Sequence, residues 1–303
     1  MKKKRFKENT GNSENRYRLS DKVALELDLK LNKSKRYRIS GDIKNRLKNM
    51  NNNPRILIYD IETSRVWAKM FWTGKTYIRH SQIKTEPKII SISWKWIDSD
   101  TIYDLTWDRN HCDRRMVKKF LKEYNKADMV IGQNNNNFDN RWLNARALKH
   151  RLFVDIFVKS FDIMKQSKKY FRLLSYSMDY TTKFLNTTFK QSHEGIHMWD
   201  MIEDGTIEQQ EEYLEKMVDY NKGDIVSTEE MFIEMAPYFG HITHFGVMAG
   251  GSKSSCPRCS SDEVKHFKTT YSAAGTEQHI MRCKSCDSQF KISKTEFNKR
   301  KFK

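Results

Sequence analysis

Asp60 and Glu62 stand two positions apart, directly after the short apolar run Ile56–Tyr59. Side chains of a strand alternate between its two faces, so both carboxylates are expected on one side of a strand end. Paired like charges are costly to bury unless a cation neutralises them. Oxygen-only ligand sets suit Mg²⁺ or Mn²⁺. The same spacing also occurs in ordinary surface pairs, so these two acids alone do not establish a metal site.

Two further acids lie in separate polar stretches. Asp139 ends the run GQNNNNFD, at the start of a predicted helix, where an aspartate often serves as the N-cap. Asp224 lies four residues after Tyr220 in YNKGD, so the two side chains share one face of a predicted helix. A solvated helix carboxylate is the alternative for Asp224. Each acid alone fits a structural role, whereas the four together form a candidate metal-binding set.

The order of these stretches along the chain carries a resemblance. DIET at 60–63, NNFD at 136–139 and YNKGD at 220–224 resemble the motifs of DEDD-class 3′→5′ exonucleases of the tyrosine subclass. Over about residues 54–240, the chain is similar to the proofreading exonuclease domain of family B DNA polymerases and to phage-type stand-alone relatives. In the histidine subclass, a histidine stands one residue further from the last acid, where this chain has Asp219.

The resemblance implies a fold, a reaction and roles for the residues. The fold would be a ribonuclease H-like α/β domain, a mixed sheet flanked by helices. The reaction would be two-metal hydrolysis of phosphodiester bonds from a 3′ end, with DNA favoured over RNA as the substrate. Tyr220 would orient the attacking water. The ligands of two Mg²⁺ or Mn²⁺ ions would be the four carboxylates, Asp60, Glu62, Asp139 and Asp224.

Two other functions remain open at this stage. Besides an exonuclease, the chain could be a non-catalytic nucleic-acid-binding module on the same fold or an RNA 3′-end processing enzyme.

Residues next to the four acids are candidate contacts to the terminal nucleotide. They are Thr63, Asn135 and Phe138, although Phe138 also suits a core position.

Four of the five cysteines form two CxxC pairs, Cys256 with Cys259 and Cys283 with Cys286. This spacing is typical of a structural Cys₄ zinc ribbon, whose closed coordination leaves no position for catalysis. Cys112 stands apart and is predicted to be a small buried residue. The cations of the ribbon are candidate nucleic-acid contacts: Lys265, Lys268, Arg282 and Lys284.

The charge is concentrated at the two ends of the chain. Residues 1–50 hold 16 Lys and Arg against 6 Asp and Glu, and residues 251–303 hold 12 against 5, within a net charge of +18. The middle is nearly neutral. A polyanion is the natural partner of such ends, so we predict binding to nucleic acid, either single-stranded or at 3′ ends. A replication or repair protein is a second candidate partner.

Strands and helices that alternate along the chain are predicted to position these residues. Apolar runs predict strands at Ile56–Tyr59, Lys88–Trp96, Thr101–Trp107 and Met129–Ile131, with helices between and after them. The last helix, Gln209–Met235, is predicted to break near Tyr220.

The predicted domains are a basic, partly helical segment at 1–50, the exonuclease domain at 54–240, a Gly/Ser linker at 241–255, the ribbon at 256–292 and a loose basic tail at 293–303. No run of about 18 apolar residues and no secretory signal occur in the sequence. We therefore expect a cytoplasmic protein with no membrane partner, and the likeness to phage-type relatives is compatible with a phage origin.

Overall fold

The computed structural model describes residues 55–71, 74–75, 77–97, 99–188, 194–240, 243–248 and 251–300. The predictions for the basic segment 1–50 and for residues 301–303 lie outside the described residues. No helix in the described ranges is both long and apolar enough to cross a lipid bilayer.

The strands form one large sheet, one small sheet and a two-stranded hairpin. They are β1 (Ile56–Thr63), β2 (Trp67–Ala68), β3 (Ile83–Thr85), β4 (Ile89–Trp96), β5 (Ile102–Thr106), β6 (Met129–Gly132), β7 (Lys159–Asp162), β8 (Val264–Tyr271), β9 (Glu277–Cys283) and β10 (Gln289–Ser293). The helices are α1 (Arg114–Tyr124), α2 (Asp139–His150), α3 (Ile163–Tyr170), α4 (Met178–Leu185), α5 (Ile196–Asp204), α6 (Ile207–Met235), α7 (Phe245–Met248) and α8 (Lys294–Arg300).

The large sheet has the strand order β5-β4-β1-β6-β7. β4 is antiparallel to both of its neighbours, β5 and β1, whereas β6 runs parallel to β1 and β7 runs parallel to β6. Parallel neighbours require crossover connections, and α2 makes the crossover from β6 to β7. The predicted α/β class is therefore confirmed: a mixed sheet is flanked by helices, and a small cysteine-containing module follows.

The two faces of the sheet differ in chemistry. On one face, Tyr59 of β1 and Trp94 of β4 pack against Phe120 of α1, with ring centroids 5.2 and 5.4 Å from that of Phe120. On the other face, α6 packs across β1, β4 and β5. There the buried Lys95 ammonium lies 2.7 Å from the Glu229 carboxylate of α6. The Asp60 carboxylate of β1 lies on this more polar side too, as its hydrogen bond from Asn221 of α6 shows.

The long helix α6 does not break near Tyr220, and that prediction was wrong. It runs unbroken from Ile207 to Met235, and its start is fixed by a capping box of Thr206 and Gln209. Gly223 costs a helix interior about 1 kcal/mol relative to alanine. The residues on both sides of it, including Met217, Val218 and Ile225, are buried against the sheet, and this burial outweighs the local cost.

The C-terminal module is a three-stranded sheet of order β10-β9-β8 with its own small core around Met281 and Phe290. Two expectations of loose structure next to it are corrected. The tail is helical over α8, where Arg300 donates to the Ser254 carbonyl at 3.1 Å. In the predicted linker, Ser254 and Ser255 are buried. The packed part of the chain therefore begins before Cys256, although the domain boundaries themselves remain predictions.

Candidate metal centre

Three carboxylates converge at the carboxyl end of β1. Asp60 and Glu62 of β1 and Asp224 of α6 each offer an oxygen, and these oxygens lie within 4.8 Å of one another. Oxygen ligands of one Mg²⁺, at about 2.1 Å from the ion, lie roughly 3 to 4 Å apart. Small side-chain rotations would therefore bring all three carboxylates onto one cation, and the oxygen-only donor set suits Mg²⁺ or Mn²⁺.

The strand itself contributes to this arrangement. Asp60 pairs with Ser93 and Glu62 with Ser91 of β4, and the register shifts directly after Glu62, between Glu62 and Thr63. A β-bulge bends its strand and changes the direction of nearby side chains, and bulges are frequent beside active sites. The two acids thus keep the period-2 placement predicted from the sequence, with an irregularity at the strand end.

Asp139 lies beside these three acids but is not within their 4.8 Å group. It is the first residue of α2 rather than the N-cap, which is Phe138. Its Oδ1 accepts a hydrogen bond from the Ile61 backbone N–H of β1 at 2.9 Å. Burial raises the pKa of Asp139 to about 7, and the negative charges of Asp162 and Asp224 act in the same direction. A bound cation would favour the ionised form of this carboxyl.

Asn221 is a site residue that the sequence analysis missed. It is fully buried on α6, and its Nδ2 donates to Asp60 Oδ2 at 2.7 Å. It lies three residues before Asp224, on the same helix face. That spacing was a usable signal, but the partner on β1 became visible only in three dimensions. Tyr220, one turn before Asp224, is buried with 6% of its surface exposed.

The asparagine-rich loop before α2 is held by packing and hydrogen bonds. Asn135 is fully buried and donates to Ser160 Oγ at 3.1 Å. Ser160 in turn donates to Asn136 Oδ1 at 2.6 Å. The structure therefore places Asn135 inside the loop, where it supports the start of α2 and hence Asp139.

Two other predicted contact residues lie closer to solvent. Phe138 is 38% exposed, whereas Thr63 is half-buried and its carbonyl accepts from Trp199 Nε1 at 2.9 Å. Asp162, which was not predicted, is buried at the end of β7 and caps α3 through Lys165 N–H at 2.9 Å. It acts on the site through its charge near Asp139.

We expect Asn221→Ala to weaken divalent-metal binding about tenfold. The hydrogen bond to the Asp60 carboxylate is charge-assisted, and such bonds contribute about 1.5–3 kcal/mol, which corresponds to roughly a tenfold change or more in an equilibrium constant. The measurement is Mn²⁺ titration by calorimetry. Lys222→Ala is the matched control, because Lys222 is the next residue of α6 and pairs with Asp104 instead. Equal Mn²⁺ affinities for Asn221→Ala and wild type would contradict the positioning role.

The four cysteines of the module form a second candidate metal site. Their sulfurs lie within 4.8 Å of one another, with 3.6 Å between Cys256 and Cys286 and 3.6 Å between Cys259 and Cys283. Tetrahedral zinc with Zn–S bonds of about 2.3 Å separates its sulfurs by about 3.8 Å. All four side chains are buried, so the predicted cysteine set fits a closed zinc site. Cys112 is only half-buried.

The predicted cations of the module differ in their surroundings. Lys265, Lys268 and Lys284 are exposed. Arg282 is half-buried and pairs with Asp287 at 3.0 Å. The three lysines therefore remain the candidates for contact with a polyanion, and Arg282 is already partly neutralised.

We expect the double variant Cys256→Ser, Cys259→Ser to lose one zinc per chain and to unfold the module. Zinc binding to small Cys-rich modules provides about 10–16 kcal/mol, comparable to or larger than the stability of a whole domain, about 5–15 kcal/mol. Released zinc measured with a chromogenic chelator and backbone hydrogen exchange of residues 256–292 would report the loss. Protection in β1, β4 and β6 should persist, since they have a separate core. Cys112→Ser is the control, and retained zinc in the double variant would refute the assignment.

Comparison with known proteins gives little. No sequence family and no curated protein matches the chain. Among solved structures, it is similar to the family B DNA polymerase from the hyperthermophilic archaeon Pyrobaculum calidifontis, with a TM-score of 0.45 and 12% identity. The similarity covers 75% of this chain and 32% of that one, so the chain spans about a third of the polymerase's length. A likeness at this level carries no functional argument.

Proposed function

We propose that this chain is a divalent-metal-dependent 3′→5′ exonuclease that hydrolyses phosphodiester bonds of DNA. The observation that carries the proposal is the convergence of Asp60, Glu62 and Asp224, three carboxylates from two distant parts of the chain, within 4.8 Å. Crowded acids of this kind are unfavourable without a cation. The resemblance of the motifs that contain them gives the direction of the reaction.

The donor set supports Mg²⁺ or Mn²⁺ as the cofactor. Asp60, Glu62 and Asp224 would hold one ion, and Asp139 would contribute to a second. When bound, such ions supply charge neutralisation at the phosphate and activation of a water. The raised pKa of Asp139, about 7, fits a site that is completed by positive charge.

The protein's own groups would bind and orient the reactants. Asn221 fixes the Asp60 carboxylate, and the Ile61 N–H fixes that of Asp139, so the ligands are held before the substrate arrives. Preorganisation of this kind lowers the reorganisation needed during reaction. The hydroxyl of Tyr220 would hold the attacking water in line with the scissile bond. Phe138, at the surface beside Asp139, would contact the terminal nucleotide.

The cysteine module would supply a structural zinc and binding rather than catalysis. Its exposed lysines, with the basic segment 1–50, would hold the phosphate backbone, so affinity would fall with salt. A replication or repair protein would be a second partner.

The proposal is tested with purified protein and 5′-labelled single-stranded DNA, duplex DNA and RNA. The expected result is a ladder that shortens one nucleotide at a time from the 3′ end with Mg²⁺ or Mn²⁺, fastest on DNA, and none with a chelator. Binding without cleavage under every metal condition would favour the non-catalytic module, and RNA cleaved faster than DNA would favour 3′-end processing.

A further inference from the structure

A hairpin segment, whose described residues are 64–71, 74–75 and 77–88, leaves the large sheet directly after the candidate site. It starts two residues after Glu62. Two hydrogen bonds of 2.8 Å join its first and last residues: the Ser64 N–H donates to the Lys88 carbonyl, and the Lys88 N–H donates to Ser64 Oγ. Further out, β2 pairs with β3. The segment is therefore anchored at the end of β1 that holds the carboxylates, and most of its described residues between Val66 and Ser81 are exposed.

The hairpin segment exposes aromatic rings that contribute nothing to the core. Phe71 is 93% exposed and Tyr77 is 86% exposed. Trp67, at 44%, is held in place by a 3.2 Å hydrogen bond from its Nε1 to Glu203. Large apolar side chains clustered on a surface commonly mark an interaction site, and flat rings are the groups on which nucleobases stack.

The cations of the hairpin segment point to the class of partner. Residues 64–88 hold six Lys and Arg against one acid, although residues 51–250 as a whole are almost neutral. Within the described residues, no acid lies within ion-pair distance of its four exposed cations, which are Lys69, Lys75, Arg79 and Lys84. Arg65 differs, because Asp200 and Glu203 neutralise it. Positive charge interleaved with aromatic rings complements a polyanion that carries bases.

A recess beside the two ends of the hairpin segment, near Ser64 and Lys88, could accommodate such a ligand. It has a volume of about 250 Å³, and its lining includes Trp67, Lys84, Lys88, Trp107 and His111. The two acids in its wall, Glu203 and Asp204, are paired with Arg65. The rings of Trp107 and His111 are stacked, with centroids 4.4 Å apart. Flat aromatic rings beside lysines suit a base and its phosphate.

We propose that the hairpin segment binds single-stranded nucleic acid on the 5′ side of the scissile bond. The position of the strand rests on the proposed function, because an enzyme that removes one nucleotide from a 3′ end has the remaining strand on the 5′ side. Rings in the hairpin segment stack on unpaired bases, so a paired 3′ end must first separate. Single strands are therefore the preferred substrate, and the preference is set by binding.

The test uses Phe71→Ala and Tyr77→Ala in the full chain, with Phe157→Ala as the matched control. Phe157 is 83% exposed, but it precedes β7 at the end of the sheet opposite the carboxylates. Binding of a fluorescent oligodeoxythymidylate of about 12 nucleotides is measured by anisotropy with Ca²⁺ in place of Mg²⁺. We expect each hairpin variant to raise Kd about fivefold or more, the effect typical of losing one stacked base, and the control to leave Kd unchanged.

Kinetics separate the hairpin segment from the carboxylates. On the same oligonucleotide with Mg²⁺, KM should rise in the hairpin variants while kcat stays the same. Hydrolysis of a chromogenic aryl ester of a nucleoside 5′-monophosphate, which has no strand beyond the reacting phosphate, should be unchanged.

The outcomes distinguish the two proposals. If wild type cleaves both substrates and the hairpin variants bind the oligonucleotide like wild type, the hairpin inference is overturned and a docking role toward protein replaces it. If wild type cleaves neither substrate but the hairpin variants still bind more weakly, the exonuclease proposal fails while the nucleic-acid surface stands. An equal loss of affinity in Phe157→Ala would also overturn the inference, because binding would then not be localised.

Discussion

Purified Asp224→Asn protein is expected to lose at least about 10³-fold in cleavage rate, and Asp60→Asn the same. Charge stabilisation by a catalytic metal is worth several kcal/mol, and each 1.36 kcal/mol is a tenfold change in rate. Asparagine keeps the shape of the side chain but removes the charge. The substitution should therefore weaken metal binding without disturbing the packing of β1 against α6.

The stability of these variants provides a second and independent readout. In chelator, the wild type holds Asp60, Glu62 and Asp224 close together, so removing one charge relieves repulsion and Tm should stay level or rise. Added Mn²⁺ should raise the Tm of wild type, because a ligand that binds only the folded state stabilises it. The two variants should show little of this rise.

Asp219→Asn is the matched control, since Asp219 is exposed on the same helix one residue before Tyr220. It should behave like wild type in rate and in its response to Mn²⁺. Full activity in Asp60→Asn or Asp224→Asn would remove the basis for the metal centre. A fall in Tm for those variants in chelator would mean that the carboxylates stabilise the fold instead.

The sequence predicted the site correctly where the spacing of residues within a motif decides which side chains come together. Asp60 and Glu62 were expected on one side of a strand because strand side chains alternate, and they do share a site. The two CxxC pairs were expected to share one zinc because their spacing is typical of a Cys₄ ribbon, and the four sulfurs do converge. In both cases the residue types and their spacing were enough to predict which side chains come together.

Contacts between distant elements were beyond that kind of reasoning. The hydrogen bond from Asn221 to Asp60 joins residues 161 positions apart, and the bond from Ile61 to Asp139 joins residues 78 apart. Each depends on the strand register and on how a helix lies across the sheet. The burial of Asn135 has the same origin, because its partner Ser160 belongs to the neighbouring strand β7.

Local composition was misleading where tertiary packing overrides it. α6 was predicted to break near Tyr220, but the helix is continuous and has buried residues on both sides of Gly223. Gly and Ser at 246–255 suggested a loose connection, yet Ser255 is buried and its hydroxyl donates to the Ser252 carbonyl at 2.6 Å. Propensity is a weak prior that burial can outweigh, and burial is the property that a single sequence states least directly.

Tyr220→Phe is expected to lower turnover about 10²-fold while leaving Mn²⁺ affinity close to that of wild type. The ring of Tyr220 belongs to the main core cluster, so phenylalanine preserves its packing. Only the hydroxyl is lost, and misplacing a reacting group costs about 10²-fold. The carboxylates and Asn221 remain, so the metal ligands are unchanged. KM should also stay within about twofold, because the hydroxyl would act on the water and not on the strand.

The matched control is Tyr213→Phe, which removes a hydroxyl two turns earlier on the same helix. That hydroxyl lies 3.2 Å from Glu194 Oε2 and 3.2 Å from His197 Nε2, so turnover should not change. Single-turnover rates and Mn²⁺ titration of the two variants give the comparison. If Tyr220→Phe turned over like wild type, the water would be oriented by the carboxylates alone. A parallel loss of Mn²⁺ affinity would instead make Tyr220 a support of the ligand set, since an effect through the water changes the rate without changing the binding of the ion.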